Sequence, residues 1–215
     1  MLFYNKLNIF WTARLIVLFC LAYAITRYNI FGQLAWSHVP LFILNKALSM
    51  ASTVIFLLAT FSKYTKESGA KLKHQTIIYK GFVSIAYLFI FLHVLISVIL
   101  IGPIYYPKFF SSDGFYNFSS ELALLGGVMG FYFFTILVLS KSPNIKKIIF
   151  VTTHPWVYKT SFICVVVMLF MIHCLLVGAS SWASPNTWPG FIPPISLLSF
   201  IVLAVTLFRL TRNNG

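Results

Sequence analysis

Two histidines, His93 and His173, each lie in the second half of a separate long apolar stretch of this 215-residue chain. An ionisable side chain inside a bilayer is costly, so it needs a partner or a task. At helical spacing Ala86, Phe89, Ile90, His93 and Ser97 share one face, and Val166, Leu169, Phe170, His173 and Val177 share another. Two neutral imidazoles facing each other at one depth suit a haem iron, with one axial ligand from each helix. A proton relay calls for carboxylates, and the apolar stretches hold none beyond Glu121 at the edge of one. A divalent metal calls for more than two ligands. The plainer alternative is a pair of core histidines hydrogen-bonded across helices.

Other residue types bear on the same chemistry. Gly126, Gly127 and Gly130 precede Phe131, Tyr132 and Phe133. Such a small-residue step allows close helix packing, and it also leaves room for a flat macrocycle. Lys46 lies within an apolar stretch, where it either snorkels to the headgroups or pairs with a haem propionate. His74 and His154 each precede one of the two central histidines by nineteen positions (93 − 74 and 173 − 154). That spacing turns a helix about 100° beyond whole turns, so they do not share the faces of His93 and His173, and both read as interfacial loop residues. His38 reads as a solvated residue near the outer surface. Cys20, Cys164 and Cys174 have no metal-site spacing, and the covalent-haem motif Cys-x-x-Cys-His is absent, so any haem is b-type.

The elements that must carry these residues follow from composition. The chain is 60% hydrophobic, 18% aromatic and only 9% charged, with a net charge of +13; the mean hydropathy is +0.90. This fits a polytopic membrane protein, all-α, and no soluble class. Its basic residues lie in short clusters between apolar spans, which argues against nucleic acid as a partner. Windows of about 20 apolar residues occur at roughly 9–28, 39–61, 81–101, 121–140, 160–180 and 192–208, so six helices in a single transmembrane domain, residues 1–215, are expected. Lys6, Arg14, the run Leu15 to Cys20 and Ala22-Tyr23-Ala24 have the order of a signal peptide and its cleavage site. An even number of spans makes the stretch the first helix instead, with Arg14 snorkelling inward.

Loop charges alternate. Lys63, Lys66, Lys71, Lys73 and Lys80 separate spans two and three; Lys141, Lys146, Lys147 and Lys159 separate four and five; Arg209 and Arg212 follow six. The positive-inside rule then puts both termini in the cytoplasm, and spans three and five both run outward. His93 and His173 are therefore expected in the outer half of the bilayer at nearly one height. Trp11 and Trp156 fit the inner interfacial belt, and Trp36, Trp182 and Trp188 the outer one.

These residues carry a resemblance. Lys80-Gly81 opens span three, Ala86 lies seven residues before His93, Pro103, Tyr105, Tyr106 and Pro107 follow it, and Trp156 and Tyr158 lead toward His173. From about Pro40 to Gly178 the chain resembles the ferric-reductase-like transmembrane domain, and within it the small bacterial haem-binding subunits of the MsrQ (YedZ) type. The resemblance implies a six-helix bundle carrying electrons through b-type haem held between spans three and five. Members with two haems have a further histidine about thirteen residues earlier in each of those spans. Here those places hold Tyr79 and Lys80, and Lys159 and Thr160. The extra histidine that small bacterial subunits keep at the start of span five is also missing. What the resemblance implies is one outer haem, with His93 and His173 as axial ligands. A quinone, or a flavin from a partner, would then serve the inner half of the bilayer.

No glycine-rich dinucleotide or flavin motif is present, so the electron donor is expected to be a quinol or a reductase subunit. The acceptor is expected on the outer side, as a protein or as ferric iron, and the location is the bacterial inner membrane. Trp36, Tyr105 and Tyr106 are candidates for the outer rim. Two other classes stay open. One is a haem-free scaffold or assembly subunit. The other is a small transporter, which the lack of a repeat, a broken-helix pair or a buried acid disfavours.

Overall fold

A bilayer core offers no water to hydrogen-bond the backbone, so a chain this apolar must satisfy its amides within each segment. The computed structural model describes residues 2–63, 70–140 and 160–212, with side chains described from residue 8 onward except at 63 and 70–74. It is an all-α bundle of six long helices: α1 (Leu2–Ile25), α2 (Leu44–Lys63), α3 (Ala70–Leu100), α4 (Phe118–Leu139), α5 (Thr160–Trp182) and α6 (Ile195–Arg212). Each contributes to a stretch long and apolar enough to cross a membrane, namely Asn8–Ile30, Trp36–Ser62, Gln75–Leu100, Phe118–Leu139, Thr160–Trp182 and Pro189–Arg212. The chain is thus a multi-pass integral membrane protein.

The expected spans are met within a few residues at most ends, and the third departs most. Its helix has 31 residues, roughly 46 Å at the usual rise, against an apolar layer of about 30 Å. The extra turns lie before Gln75 and carry Lys71 and Lys73 beyond the apolar window. Residues 64–69 and 141–159 lie outside the description, and with them Lys66, Lys141, Lys146, Lys147, Lys159, His154, Trp156 and Tyr158. Of His74 only the backbone, within α3, is described.

Local chemistry sets the helix ends. Asn117 caps α4: its side-chain oxygen accepts from the Ser120 amide at 2.9 Å, and Glu121 lies in the first turn, where the helix dipole favours an acid. Gly102 and Pro103 follow the end of α3, and Pro193 and Pro194 lead into α6. Two π-helical turns, Thr26–Ile30 after α1 and Val39–Ile43 before α2, meet at one end of the bundle through an edge-on contact between Tyr28 and Phe42. At the opposite end Arg14 lies over the Trp11 ring and Arg209 over Phe61. These cations end on aromatic faces, as interfacial side chains do.

Packing decides where a site can form. α2 is the central helix and packs against α1, α3 and α6. Ala47, Ala51, Ile55 and Ala59 on it are fully buried, and the small size of the three alanines lets neighbouring backbones approach. α5 packs on α4 and α6. Phe134 joins these groups, edge-on to Phe56 of α2 and to Phe170 of α5. α3 meets α4 only lightly, and α3 and α5 make little close backbone contact among the described residues. They face each other across a gap, and both central histidines lie on that gap.

Candidate functional site

His93 is held from α2. Its Nδ1 lies 2.6 Å from the Asn45 side-chain oxygen and 3.2 Å from the Asn45 backbone oxygen. A backbone carbonyl only accepts, so Nδ1 carries the proton and donates. Asn45 is fully buried and is itself fixed, its amide donating to Ser97 Oγ at 2.9 Å and to the Tyr106 hydroxyl at 3.4 Å. This network links α2, α3 and the loop after α3 around one imidazole. Sequence reading named Ser97 and Tyr106 but missed Asn45. The available signal was an uncharged amide deep in an apolar span, which calls for a hydrogen-bond partner.

His173 is held from α4 by a different device. Its Nδ1 lies 2.7 Å from the Ala123 carbonyl oxygen, so this ring also donates from Nδ1. Gly127, one helical turn after Ala123, leaves that carbonyl uncovered. A Cβ there would sit 2.8 Å from His173 Nδ1 and 3.1 Å from its Cε1. Gly126 instead faces the α5 backbone, 3.4 Å from the Leu169 oxygen, and Gly130 faces the Phe170 ring at 2.9 Å. Thus much of the space left by the three glycines is taken by the protein's own α5, and only Gly127 of the three also lines the cavity between the histidines.

That cavity has a volume of about 170 Å³. His93 and Ser97 of α3, His173 and Val177 of α5, and Lys46 of α2 are on its wall. A second space of about 40 Å³ lies against the same two histidines and is edged by Ser49, Ser52 and Thr53. With both Nδ1 atoms engaged as donors, each imidazole keeps its lone pair on Nε2. No hydrogen bond among the described residues engages Nε2 of either ring. The larger cavity opens sideways. Val98 of α3 and Val128 of α4 line it yet are 67% and 60% exposed, so its mouth lies between these lightly packed helices and faces lipid. Toward the start of α3 from His93, the stacked rings of Tyr87 and Phe131, 6.0 Å apart, close the α3–α4 gap.

The end of the cavity nearest the α3–α4 loop is aromatic and cationic. Lys46 Nζ lies 4.8 Å from the Tyr106 ring centre and 5.1 Å from that of Phe42. Of the three candidates for an outer rim, Tyr106 lines the cavity. Tyr105 lies one layer out, stacked on Phe42 and edge-on to His38. Trp36 is 64% exposed and does not line the cavity. Lys108, read from sequence only as a loop charge, donates from Nζ to the Val177 carbonyl oxygen on the far wall. Its stem is exposed while its ammonium reaches inward; burial and the nearby charge of Lys46 push it down to about 8. Cys174 borders both spaces and is buried, with a free thiol.

Two tests bear on whether a haem suits these residues. The first is the donor set. Among the described residues no group of three or more His, Cys, Asp or Glu is placed to hold a metal ion. A haem iron asks less, two axial imidazoles whose other nitrogens are tied to oxygens, and this is the hydrogen bonding found here. The second is size. A space of 170 Å³ is closer to the ~150 Å³ that holds a benzene than to the ~300 Å³ and more of a site that encloses a larger ligand. A macrocycle fits only by extending through the lateral mouth and toward the smaller inner space. The donor chemistry and the apolar, aromatic walls suit the group, and the open side supplies the room. No protein-family model and no curated protein matches this chain.

Proposed function

We propose that this protein is a membrane b-type haem protein that passes electrons to an acceptor on the outer side, as the membrane component of a ferric-reductase-like or MsrQ-like system. The observation that carries the reading is the matched pair of imidazoles. They come from two helices with little close backbone contact, they border one cavity, and each donates from Nδ1 to an oxygen that leaves Nε2 available. Core histidines used only for packing have no need of a shared cavity.

His93 and His173 would be the axial ligands. Asn45 and the Ala123 carbonyl hold the two rings in one tautomer and make each Nε2 a better donor. The apolar walls keep water out and the dielectric low, which favours the less charged redox state. When bound, a haem supplies one-electron chemistry between ferric and ferrous iron, and the protein supplies orientation and tuning. The donor would be a quinol or a reductase subunit, and the acceptor a protein or ferric iron at the outer face. The location would be the bacterial inner membrane.

The test is the visible spectrum of protein purified after growth with ample haem. Reducible Soret and alpha bands of b type are expected, and His93→Ala or His173→Ala should remove them. A colourless, folded wild-type protein would refute the proposal.

A further inference from the structure

One end of the cavity has Lys46 on its wall and a second cation, Lys108, beside it. Lys46 reaches it from α2, against Tyr106 and Phe42. Lys108, in the α3–α4 loop, lies outside the lining itself and donates to Val177, a wall residue. That loop is firmly built, because Asn117 donates to the Lys108 carbonyl at 2.8 Å and Tyr106 stacks on Phe109. Lys46 is close enough for its charge to act on Lys108. The acids Asp113 and Glu121 form no ion pair with either lysine among the described residues. Like charges brought together beside an apolar space repel, and an anion placed between them turns that repulsion into attraction.

We propose that this end is a carboxylate site, in which Lys46 and Lys108 hold the acid group of an apolar ligand that enters from the bilayer between α3 and α4. The remaining wall, including Ile101, Phe109 and Val128, asks for an apolar body. The acid end belongs outward, at the lysines, and the body inward, toward the histidines. Two sources share the required chemistry: the propionates of a haem and a free long-chain fatty acid. The argument rests on the lysines and not on iron ligation, so it stands or falls apart from the haem reading.

The test uses the full chain in neutral detergent micelles and two pairs of probes. One pair is a fluorescent long-chain fatty acid and its methyl ester; the other is haemin and its dimethyl ester. At least one acid should bind about tenfold more tightly than its ester, the size of one charge-assisted contact. Lys46→Met and Lys108→Met should each erase most of that preference without weakening the ester, and Lys46→Arg should keep it. A preference confined to haemin names the propionates, and one confined to the fatty acid names a lipid-derived acid. Equal binding of acid and ester in both pairs, or a preference that survives both methionine variants, overturns the proposal. Normal b-type bands without an acid preference would remove this inference and spare the haem reading. An acid preference in a protein without bands would do the reverse.

Discussion

Adjacent glycines with unlike surroundings make a controlled experiment. Replacing Gly127 by Ala puts a methyl group 2.8 Å from His173 Nδ1, where an ordinary contact needs about 3.5 Å. The ring must therefore withdraw by roughly 0.7 Å, away from α4. Ala123 lies on that same helix, so a bond now 2.7 Å long stretches to about 3.4 Å, past the ordinary range of about 2.7–3.2 Å, and loses most of its strength. Losing a buried bond costs about 1–3 kcal/mol. Forcing a methyl into a packed interface costs about 1–3 kcal/mol more. Gly126→Ala makes the same chemical change one residue earlier, but its methyl meets the Leu169 oxygen at 3.4 Å and the His173 amide at 3.6 Å. A shift of a tenth or two of an ångström accommodates it, at a cost below about 1 kcal/mol. Reversible unfolding in mixed micelles should rank wild type and Gly126→Ala close together and Gly127→Ala well below them. In protein carrying haem, only Gly127→Ala should alter the axial-ligand signature in the electron paramagnetic resonance spectrum. Equal losses for the two alanines, or a larger loss at Gly126, would refute the claim that Gly127 exists to seat the imidazole.

Asn45→Ala removes the oxygen that accepts from His93 and should destabilise the protein by about 1–3 kcal/mol, whereas Ser97→Ala should cost less, because the His93 bond survives it; the same unfolding assay checks both. Lys108 loses its charge near pH 8, below the usual lysine value, because burial and then Lys46 disfavour the charged form. Its protonated form is thus a burden on the fold below about pH 8, and that burden lifts as pH rises through 8 toward 10.5. Nuclear magnetic resonance of methyl-labelled lysines should show this midpoint, and Lys46→Met should move it upward. Phe131→Ala removes the ring stacked on Tyr87 and should lengthen the lateral opening inward, read as faster modification of Cys174 by a membrane-soluble thiol reagent.

The bundle was legible because each span is set by a local rule: about 20 apolar residues, with charge at the ends. The start of α3 was not, since a helix can run past the apolar layer wherever its polar turns tolerate water. His93 and His173 stood out as ionisable groups with no acid in reach, and helical phase placed Ser97 and Val177 beside them. The anchors of the two rings were hidden for a physical reason. Ala123 acts through its backbone oxygen, which every residue type possesses, and it is exposed only because Gly127 lies a turn away. Gly126, Gly127 and Gly130 read as one small-residue step, yet they meet a backbone, an imidazole and a phenyl ring. Lys108 looked like a topology marker because nothing in a linear chain tells that a loop will fold back to Val177.

A mouth edged by Val98 and Val128 opens onto hydrocarbon, and this changes the variable that governs filling. For a guest arriving that way, the relevant abundance is its mole fraction among the lipids, because partitioning has already drawn it out of the aqueous phase. Adding buffer to vesicles that contain the protein should leave saturation almost untouched. Adding guest-free lipid by fusion should lower it in proportion.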